Sequence, residues 1–262
     1  AFSLPLVPNA VLWWVTNISS RYFVAFGRGV NDVGLLGVAV RFTSVVTMVT
    51  TVFSQAWQLS ANSNAADEGR DFFYSRVFRS YAAVLLVTIA SLALLVKPLV
   101  RLIAAPSYFE AWRGVTPLLM GAVFAAFASF YEAIYTAARR TRGIFRTTMV
   151  AGVLSIVLNV LFVPTLGFMG AGFSIALCFL TLWLLRVVDS RSIASLSISG
   201  GRIAVALSLI GLESIVQYIR LDTRVAYSIM LAAWVSILWV FRHELQELVA
   251  QVLRLRFFRV AK

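Results

Sequence analysis

Two arginines lie where a charged side chain is hardest to accommodate, inside long apolar stretches. Arg21 falls within 4–27 and Arg41 within 34–60, and each stretch can cross a bilayer, which takes about 20 residues. A charge inside such a span costs roughly 2.5–3.5 kcal/mol and usually faces a polar cavity or a bundle interior. Because a guanidinium stays charged and binds phosphate or carboxylate through paired hydrogen bonds, the two arginines predict a cavity for an anion. The alternative is that both snorkel to a nearby membrane surface.

Of the eleven acidic residues, only Glu132 and Glu213 fall inside apolar spans. Glu132 is close in sequence to the basic segment AARRTR, where Arg139 is its expected partner if it simply forms an ion pair. Glu132 and Arg139 are also the candidates for coupling or gating. Glu213 is expected to be either a packing or an interfacial residue. A carboxyl group inside a membrane can also relay protons, so that role stays open for both.

The sequence has none of the residue patterns expected of an enzyme. Its one histidine, His243, stands in HELQE, which lacks the second histidine of a zinc-binding H-E-x-x-H motif. A phosphate-binding G-x-x-x-x-G-K loop is also absent from the sequence. We therefore expect no catalytic residue, no metal and no cofactor.

The composition is that of an integral membrane protein. Apolar residues make up 60% of the 262 residues, charged residues make up 13%, and the mean hydropathy is +0.87. A soluble domain carries about 25% charge. The net charge of +12 is spread between apolar stretches rather than gathered in one patch, which argues against a nucleic-acid partner. The single Cys178 is expected to be a small core residue.

Hydropathy and its breaks predict eight transmembrane helices. A mixed segment of Phe and Arg at 70–79 predicts either a short helix lying on an anionic membrane face or the start of the third span. The C-terminal segment HELQELVAQVLRLRFFRVAK predicts an amphipathic basic helix on the membrane. The predicted spans are approximately 4–27, 34–60, 80–104, 114–137, 143–163, 168–189, 201–219 and 224–241.

Lysine and arginine are unequally distributed between the two ends of these spans. The segments that follow the second, fourth and sixth spans, together with the C-terminal tail, hold 15 of them. The segments that follow the first, third, fifth and seventh spans hold 6. The positive-inside rule places the more basic side in the cytoplasm, so both ends of the chain are expected there. The chain starts at Ala1 directly in a span, without signal-peptide features, which favours a piece of a longer protein.

The segment RVVDSRSIASLSISGGR, which begins at Arg186, is the richest in Ser and Gly and is predicted to be a linker. It separates a six-helix unit, 1–189, from 190–262, which holds the linker, two further transmembrane helices and the basic tail. Similar glycine pairs open the second and sixth spans, as in transporters built from internal repeats. These pairs are Gly34 with Gly37 and Gly167 with Gly170.

Five segments spread over about residues 4–190 carry a resemblance to a known family, namely SSRYFVAFGRGVNDVGLLGVAVRF, FSQAWQLSA, PSYFEAWRGVTPLL, IYTAARRTRGIF and LNVLFVPTLGFMGAGFSIAL. In their order and spacing they resemble the second half of a bacterial polysaccharide flippase. Such flippases belong to the multidrug, oligosaccharidyl-lipid and polysaccharide exporter superfamily. The resemblance implies an all-α integral membrane fold, with one six-helix lobe of a MATE-like transporter followed by a C-terminal helix pair. It also implies a missing N-terminal lobe, on the same or a separate chain.

The function implied by this resemblance is transport of an oligosaccharide linked to undecaprenyl pyrophosphate, as in O-antigen or capsule synthesis. The cargo would pass from the inner to the outer leaflet of the bacterial inner membrane by alternating access. The cavity of such flippases is cationic, which implies that Arg21 and Arg41 bind substrate. Two alternatives stay open. A multidrug or cation extruder of the same superfamily would need acidic cavity residues, and a non-transporting scaffold subunit would turn its arginines toward other helices.

Overall fold

The computed structural model describes residues 19–64, 69–219 and 221–250, and these residues are almost entirely helical. Short 3₁₀ turns cover Pro106–Ala111 and Ser190–Ser192. The ranges of α1 and α10 are those of their described parts. In chain order the helices are α1 (19–28), α2 (Val30–Ser63), α3 (Arg70–Leu94), α4 (Val96–Ile103), α5 (Trp112–Ala137), α6 (Thr141–Leu166), α7 (Phe168–Asp189), α8 (Gly200–Tyr218), α9 (Thr223–Val240) and α10 (242–250).

Seven of these helices are long and apolar enough to cross a membrane, namely α2, α3 and α5 to α9. The chain is therefore a multi-pass, all-α membrane protein. These helices correspond to the second to eighth predicted spans. The first predicted span, 4–27, lies mostly outside the described residues, and so does the basic end of the predicted amphipathic tail. An eighth crossing stays a prediction.

The predicted boundaries of the third span, 80–104, are wrong. Helix α3 begins earlier, at Arg70, and ends at Leu94. Tyr74 and Phe78 are buried, so 70–79 is the start of this long helix and not a separate surface helix. The helix ends because the ring of Pro98 would clash with the carbonyl four residues before it, whereas proline is tolerated in the first turn of α4.

The chain divides into two compact units, and the described residues of the first lie within Ala1–Asp71 and Leu95–Leu196. In this unit α5 packs against both α2 and α7, and α6 packs against α7. The rings of Trp57 in α2 and Phe130 in α5 stack with centroids 4.2 Å apart. The Trp57 indole Nε1 also donates to the Phe130 carbonyl at 3.0 Å. Trp183 of α7 stacks on Phe124, so aromatic pairs hold both neighbours against α5.

The described residues of the second unit lie within Phe72–Leu94 and Ser197–Lys262. Here α8 packs against α9, and α3 supplies hydrogen-bond partners to both. Gln217 Nε2 donates to the Ala93 carbonyl at 2.8 Å, and Trp234 Nε1 donates to Ser91 Oγ at 2.9 Å. The sequence-based division at 190 follows chain order and places the third span in the first unit. The two divisions differ at α3 because these long-range bonds leave no periodic signal in the sequence.

Helix α6 buries polar side chains and exposes apolar ones. Thr148, Ser155 and Asn159 are buried, whereas Val153 and Val160 are exposed. In a bilayer the lipid tails are as apolar as a protein core, so polar groups are best placed against other helices. This inverted pattern indicates that α6 faces lipid on one side.

The predicted tight reversal in PTLGFMG is confirmed. Only Gly167 separates α6 from α7, and it takes a φ of 60°, which glycine adopts without steric cost. The backbone N–H of Phe168 donates to Asp32 Oδ2 at 3.2 Å. Asp32 lies in the first turn of α2, so its carboxylate holds the start of α7 against that helix.

Candidate functional site

A cavity of about 450 Å³ opens within the first unit, between α1, α2, α5 and α7. Its polar wall comes mainly from α1 and α2, and Ser129 adds a hydroxyl from α5. None of its described lining residues is acidic. The wall contributed by α5 and α7 is otherwise apolar, consisting of Leu118, Ala122, Ala125, Ala126, Ile175 and Phe179.

The α2 wall of this cavity is a stripe along one helix face. Its residues follow one another in steps of four and three, the spacing of side chains that share a face. The threonines of the stripe donate their own hydroxyl protons to backbone carbonyls of α2, at 2.7, 3.0 and 2.8 Å. Lone pairs on their oxygens remain to accept hydrogen bonds from a ligand. The stripe consists of Leu36, Val40, Thr43, Thr47 and Thr50.

Arg21 and Ser20 complete the polar wall from α1. Arg21 is exposed and forms no ion pair with any residue that the structure describes. Ser20 is only 1% exposed, and its hydroxyl has no hydrogen-bond partner within the described ranges. A buried hydroxyl without a partner is unfavourable. Of the two residues, Arg21 offers an anion in the cavity a charged donor.

Arg41, the second predicted substrate-binding residue, does not line this cavity. It follows Val40 directly and therefore points about 100° further around α2. Its side chain is exposed. The structure thus brings Arg21, but not Arg41, to the cavity, and a role for Arg41 in substrate binding stays a prediction.

The expected pair between Glu132 and Arg139 is not formed. Glu132 is instead ion-paired with Arg186 of α7, with 3.0 Å between Glu132 Oε2 and Arg186 Nη1. Arg139 lies seven residues beyond Glu132, about 10 Å along the helix axis. It is exposed, follows the end of α5 and lines a different pocket. Sequence proximity suggested the wrong partner because α7 brings a guanidinium closer.

Arg186 falls both in the predicted sixth span, 168–189, and in the predicted linker segment, and the structure supports the span. It lies inside α7 and is 0% exposed. Its guanidinium donates to the Ala128 carbonyl at 2.7 Å and to Thr148 Oγ1 at 3.1 Å, in addition to Glu132. The spacing to the buried residues Phe179, Leu182 and Trp183, at seven, four and three positions before it, is the signal that places Arg186 on the packed face.

Glu213 and Cys178 are both buried. Cys178 Sγ contacts the Ala151 carbonyl at 3.1 Å, which confirms its expected place in the core. Glu213 lies in α8 in the second unit, and its carboxylate oxygens have no hydrogen-bond partner among the residues that the structure describes. Burial of Glu213 argues against the interfacial role and is consistent with packing, and the proton-relay role stays a prediction.

Comparison of the chain with protein-family models and with curated proteins gives no match. The class that the fold and site define is a multi-pass helical membrane protein with a cavity lined by one arginine, several hydroxyls and an apolar wall.

Proposed function

We propose that this chain forms one lobe of a transporter that moves an oligosaccharide linked to a lipid pyrophosphate across the bacterial inner membrane. The observation that carries the proposal is the cavity of the first unit. There Arg21 and Ser20 face the same space as the threonine stripe of α2. The family resemblance of the sequence supplies the class of cargo, and the chemistry of the cavity supports it.

The two kinds of polar group suit the two parts of such a cargo. A pyrophosphate is a multiple acceptor, and a guanidinium can replace its hydration with charge-assisted, paired hydrogen bonds. Sugar hydroxyls can donate to oxygens, and Thr43, Thr47 and Thr50 keep their lone pairs for that purpose. The lipid tail needs no cavity, since it can stay in the bilayer while the head group crosses.

The described cavity wall is less suited to the alternative cargo, an organic cation. Extrusion of a cation would favour carboxylates in the cavity, and the described lining residues contain none. We expect a second lobe, on the same or a separate chain, to supply the opposite wall and to make alternating access complete. Binding of the cargo, rather than its transport, is therefore the property to measure on this chain alone.

The test is equilibrium binding of undecaprenyl pyrophosphate carrying a short oligosaccharide to the purified chain in lipid nanodiscs. We expect Arg21→Gln to weaken binding about tenfold, because the charge-assisted contact is lost. Arg28→Gln is the matched control, since it removes an exposed charge from the same helix α1 outside the cavity wall. Equal affinities of the wild type and both variants would contradict the proposal, and so would binding of neutral undecaprenol with the same affinity.

A further inference from the structure

A second pocket, of about 480 Å³, lies in the first unit where α5 ends and α6 begins. It shares no lining residue with the cavity described above. We call it the arginine pocket because four arginines line it, namely Arg139, Arg140, Arg142 and Arg146. None of the four forms a salt bridge within the described part of the chain.

One carboxylate, that of Asp189, also lines the arginine pocket. Its Oδ2 accepts a hydrogen bond from Tyr135 Oη at 2.7 Å, which holds it against α5. Arg140 Nη1 donates to a neutral group, Ser192 Oγ, at 3.2 Å. Four guanidinium groups against one carboxylate leave a positive excess, so the ligand that fits the pocket is an anion.

The start of α6 adds to this preference. Thr141 is the first residue of α6, and no side chain caps the first turn. The unpaired backbone N–H groups at a helix N-terminus and the helix dipole both favour a negative charge. The guanidinium groups and the helix start therefore attract the same kind of ligand to the same pocket.

Arg139 occupies a backbone position that usually belongs to glycine. After α5 the N–H of Arg140 bonds to the Tyr135 carbonyl at 2.9 Å, and the N–H of Arg139 bonds to the Thr136 carbonyl at 3.0 Å. This is the Schellman pattern, in which glycine normally takes the left-handed position. Here Arg139 takes it, with a φ of 56°. Arginine is less favourable than glycine at this position, so the backbone here carries a steric cost.

We propose that the arginine pocket binds the phosphate group of an anionic phospholipid. The pocket lies at the ends of two membrane-spanning helices, α5 and α6, where lipid head groups are found. Basic pockets between transmembrane helices are suited to anionic head groups, because fixed guanidinium groups replace the hydration of the phosphate. This lipid is separate from the proposed cargo, so the inference does not depend on the proposed function.

The test is a lipid titration of the purified chain in detergent, followed by native mass spectrometry, with no undecaprenyl lipid present. Phosphatidylglycerol is the anionic probe and phosphatidylcholine is the zwitterionic comparison. We expect phosphatidylglycerol to bind about tenfold more tightly. The double variant Arg142→Gln with Arg146→Gln should lose that preference. The matched control, Arg191→Gln with Arg224→Gln, removes two exposed arginines that do not line the pocket and should keep it.

Arg139→Gly separates ligand binding from folding. Glycine relieves the left-handed backbone, so the thermal stability of the chain should stay equal or rise, while affinity for phosphatidylglycerol falls. Two results would overturn the proposal. One is equal loss of binding in the pocket and control double variants, which would indicate a diffuse charge effect. The other is displacement of the lipid by millimolar inorganic phosphate, which would assign the pocket to a soluble anion.

Discussion

The guanidinium of Arg186 lies 3.0 Å from the carboxylate of Glu132 and joins α5, α6 and α7 at one buried point of the first unit. Besides Glu132 on α5, it reaches Thr148 on α6 at 3.1 Å. The Arg186 side chain is fully buried, whereas 31% of the Glu132 side chain is exposed. The two partners therefore differ in solvation. Water can reach the charge of Glu132, whereas the charge of Arg186 is balanced by protein groups alone.

Glu132→Gln should therefore destabilise the chain strongly. The substitution keeps the shape of the side chain but leaves the buried guanidinium with neutral partners only, and breaking a buried pair in this way costs about 3–5 kcal/mol. Partial exposure of Glu132 places the expected value near the lower end of that range. The measurement is thermal unfolding of the purified chain in detergent.

Glu110→Gln is the matched control for this prediction. Glu110 pairs with Arg113 at 2.7 Å, but both side chains are about half exposed, at 50% and 44%. An exposed pair contributes roughly 0–1 kcal/mol. Equal changes in melting temperature for the two glutamine variants would mean that the Arg186 pair does not hold the three helices together.

Replacing Thr47 and Thr50 with valine should separate recognition of sugar from recognition of phosphate. Valine keeps the branched shape of threonine but removes the oxygens that face the cavity. We expect undecaprenyl pyrophosphate carrying an oligosaccharide to bind more weakly to the double variant, by about tenfold. Undecaprenyl pyrophosphate without sugar should bind as it does to the wild type, since Arg21 is unchanged.

The two ligands are compared in the same nanodisc binding assay. Thr51→Val serves as the control, because Thr51 lies on α2 outside the cavity wall. Its hydroxyl donates to the Thr47 carbonyl, just as the hydroxyls of Thr47 and Thr50 donate to carbonyls of α2. If the double valine variant loses affinity for both ligands equally, the threonine stripe does not bind the sugar part of the cargo.

Hydropathy predicted the spanning helices well because a bilayer imposes one strong requirement, a long apolar helix, on each crossing. The seven helices that can cross a membrane lie where the sequence places them, except for α3. The error at α3 arose because a polar and aromatic beginning, 70–79, looks like an interfacial segment when burial is unknown. Likewise, the grouping of α3 depends on partners such as Gln217, which are distant in sequence.

The site was less predictable from the sequence. A charged residue in a span indicates that it meets a partner or a cavity, but it does not identify the partner or the residues that line the cavity. The sequence places Arg21 and Arg41 alike, each inside an apolar stretch, yet only Arg21 lines the cavity. The difference depends on rotation about the helix axis. The threonines at 43, 47 and 50 predict which face of α2 is polar, because their spacing places them on one face of the helix. Position 41 lies outside that face. Arg186 was missed because it stands next to a serine-rich segment.

The predicted orientation of the chain can be tested at the two ends of α2. This helix has 34 residues and is about 51 Å long, more than the roughly 30 Å of a hydrocarbon core. Helix α2 ends at Ser63. Near the start of α2, Tyr108 packs against Gly34, so the neighbouring residue Ser107 lies close to that opposite end of the helix. In a Cys178→Ala background, Ser107→Cys should react with an impermeant thiol reagent added outside intact cells.

Ser63→Cys should react only after the cells are permeabilised. Both serines are exposed, so access to the reagent depends on the side of the membrane and not on burial. Labelling of Ser63→Cys from outside would reverse the orientation that the distribution of Lys and Arg predicts. Labelling of both cysteines from the same side would show that α2 does not cross the membrane.

The two glycine pairs that resemble each other in sequence should respond differently to alanine. A Cβ at Gly170 would overlap the backbone carbonyl of Phe162 in α6, whereas a Cβ at Gly37 would meet nothing within 4 Å. Gly170→Ala must therefore push α7 away from the end of α6, and overpacking of this kind costs about 1–3 kcal/mol. Gly37→Ala should be neutral or stabilising by up to about 1 kcal/mol, because alanine is the better helix former. Thermal unfolding of both variants in detergent checks the difference, and an unchanged melting temperature for Gly170→Ala would contradict close packing at the α6–α7 reversal.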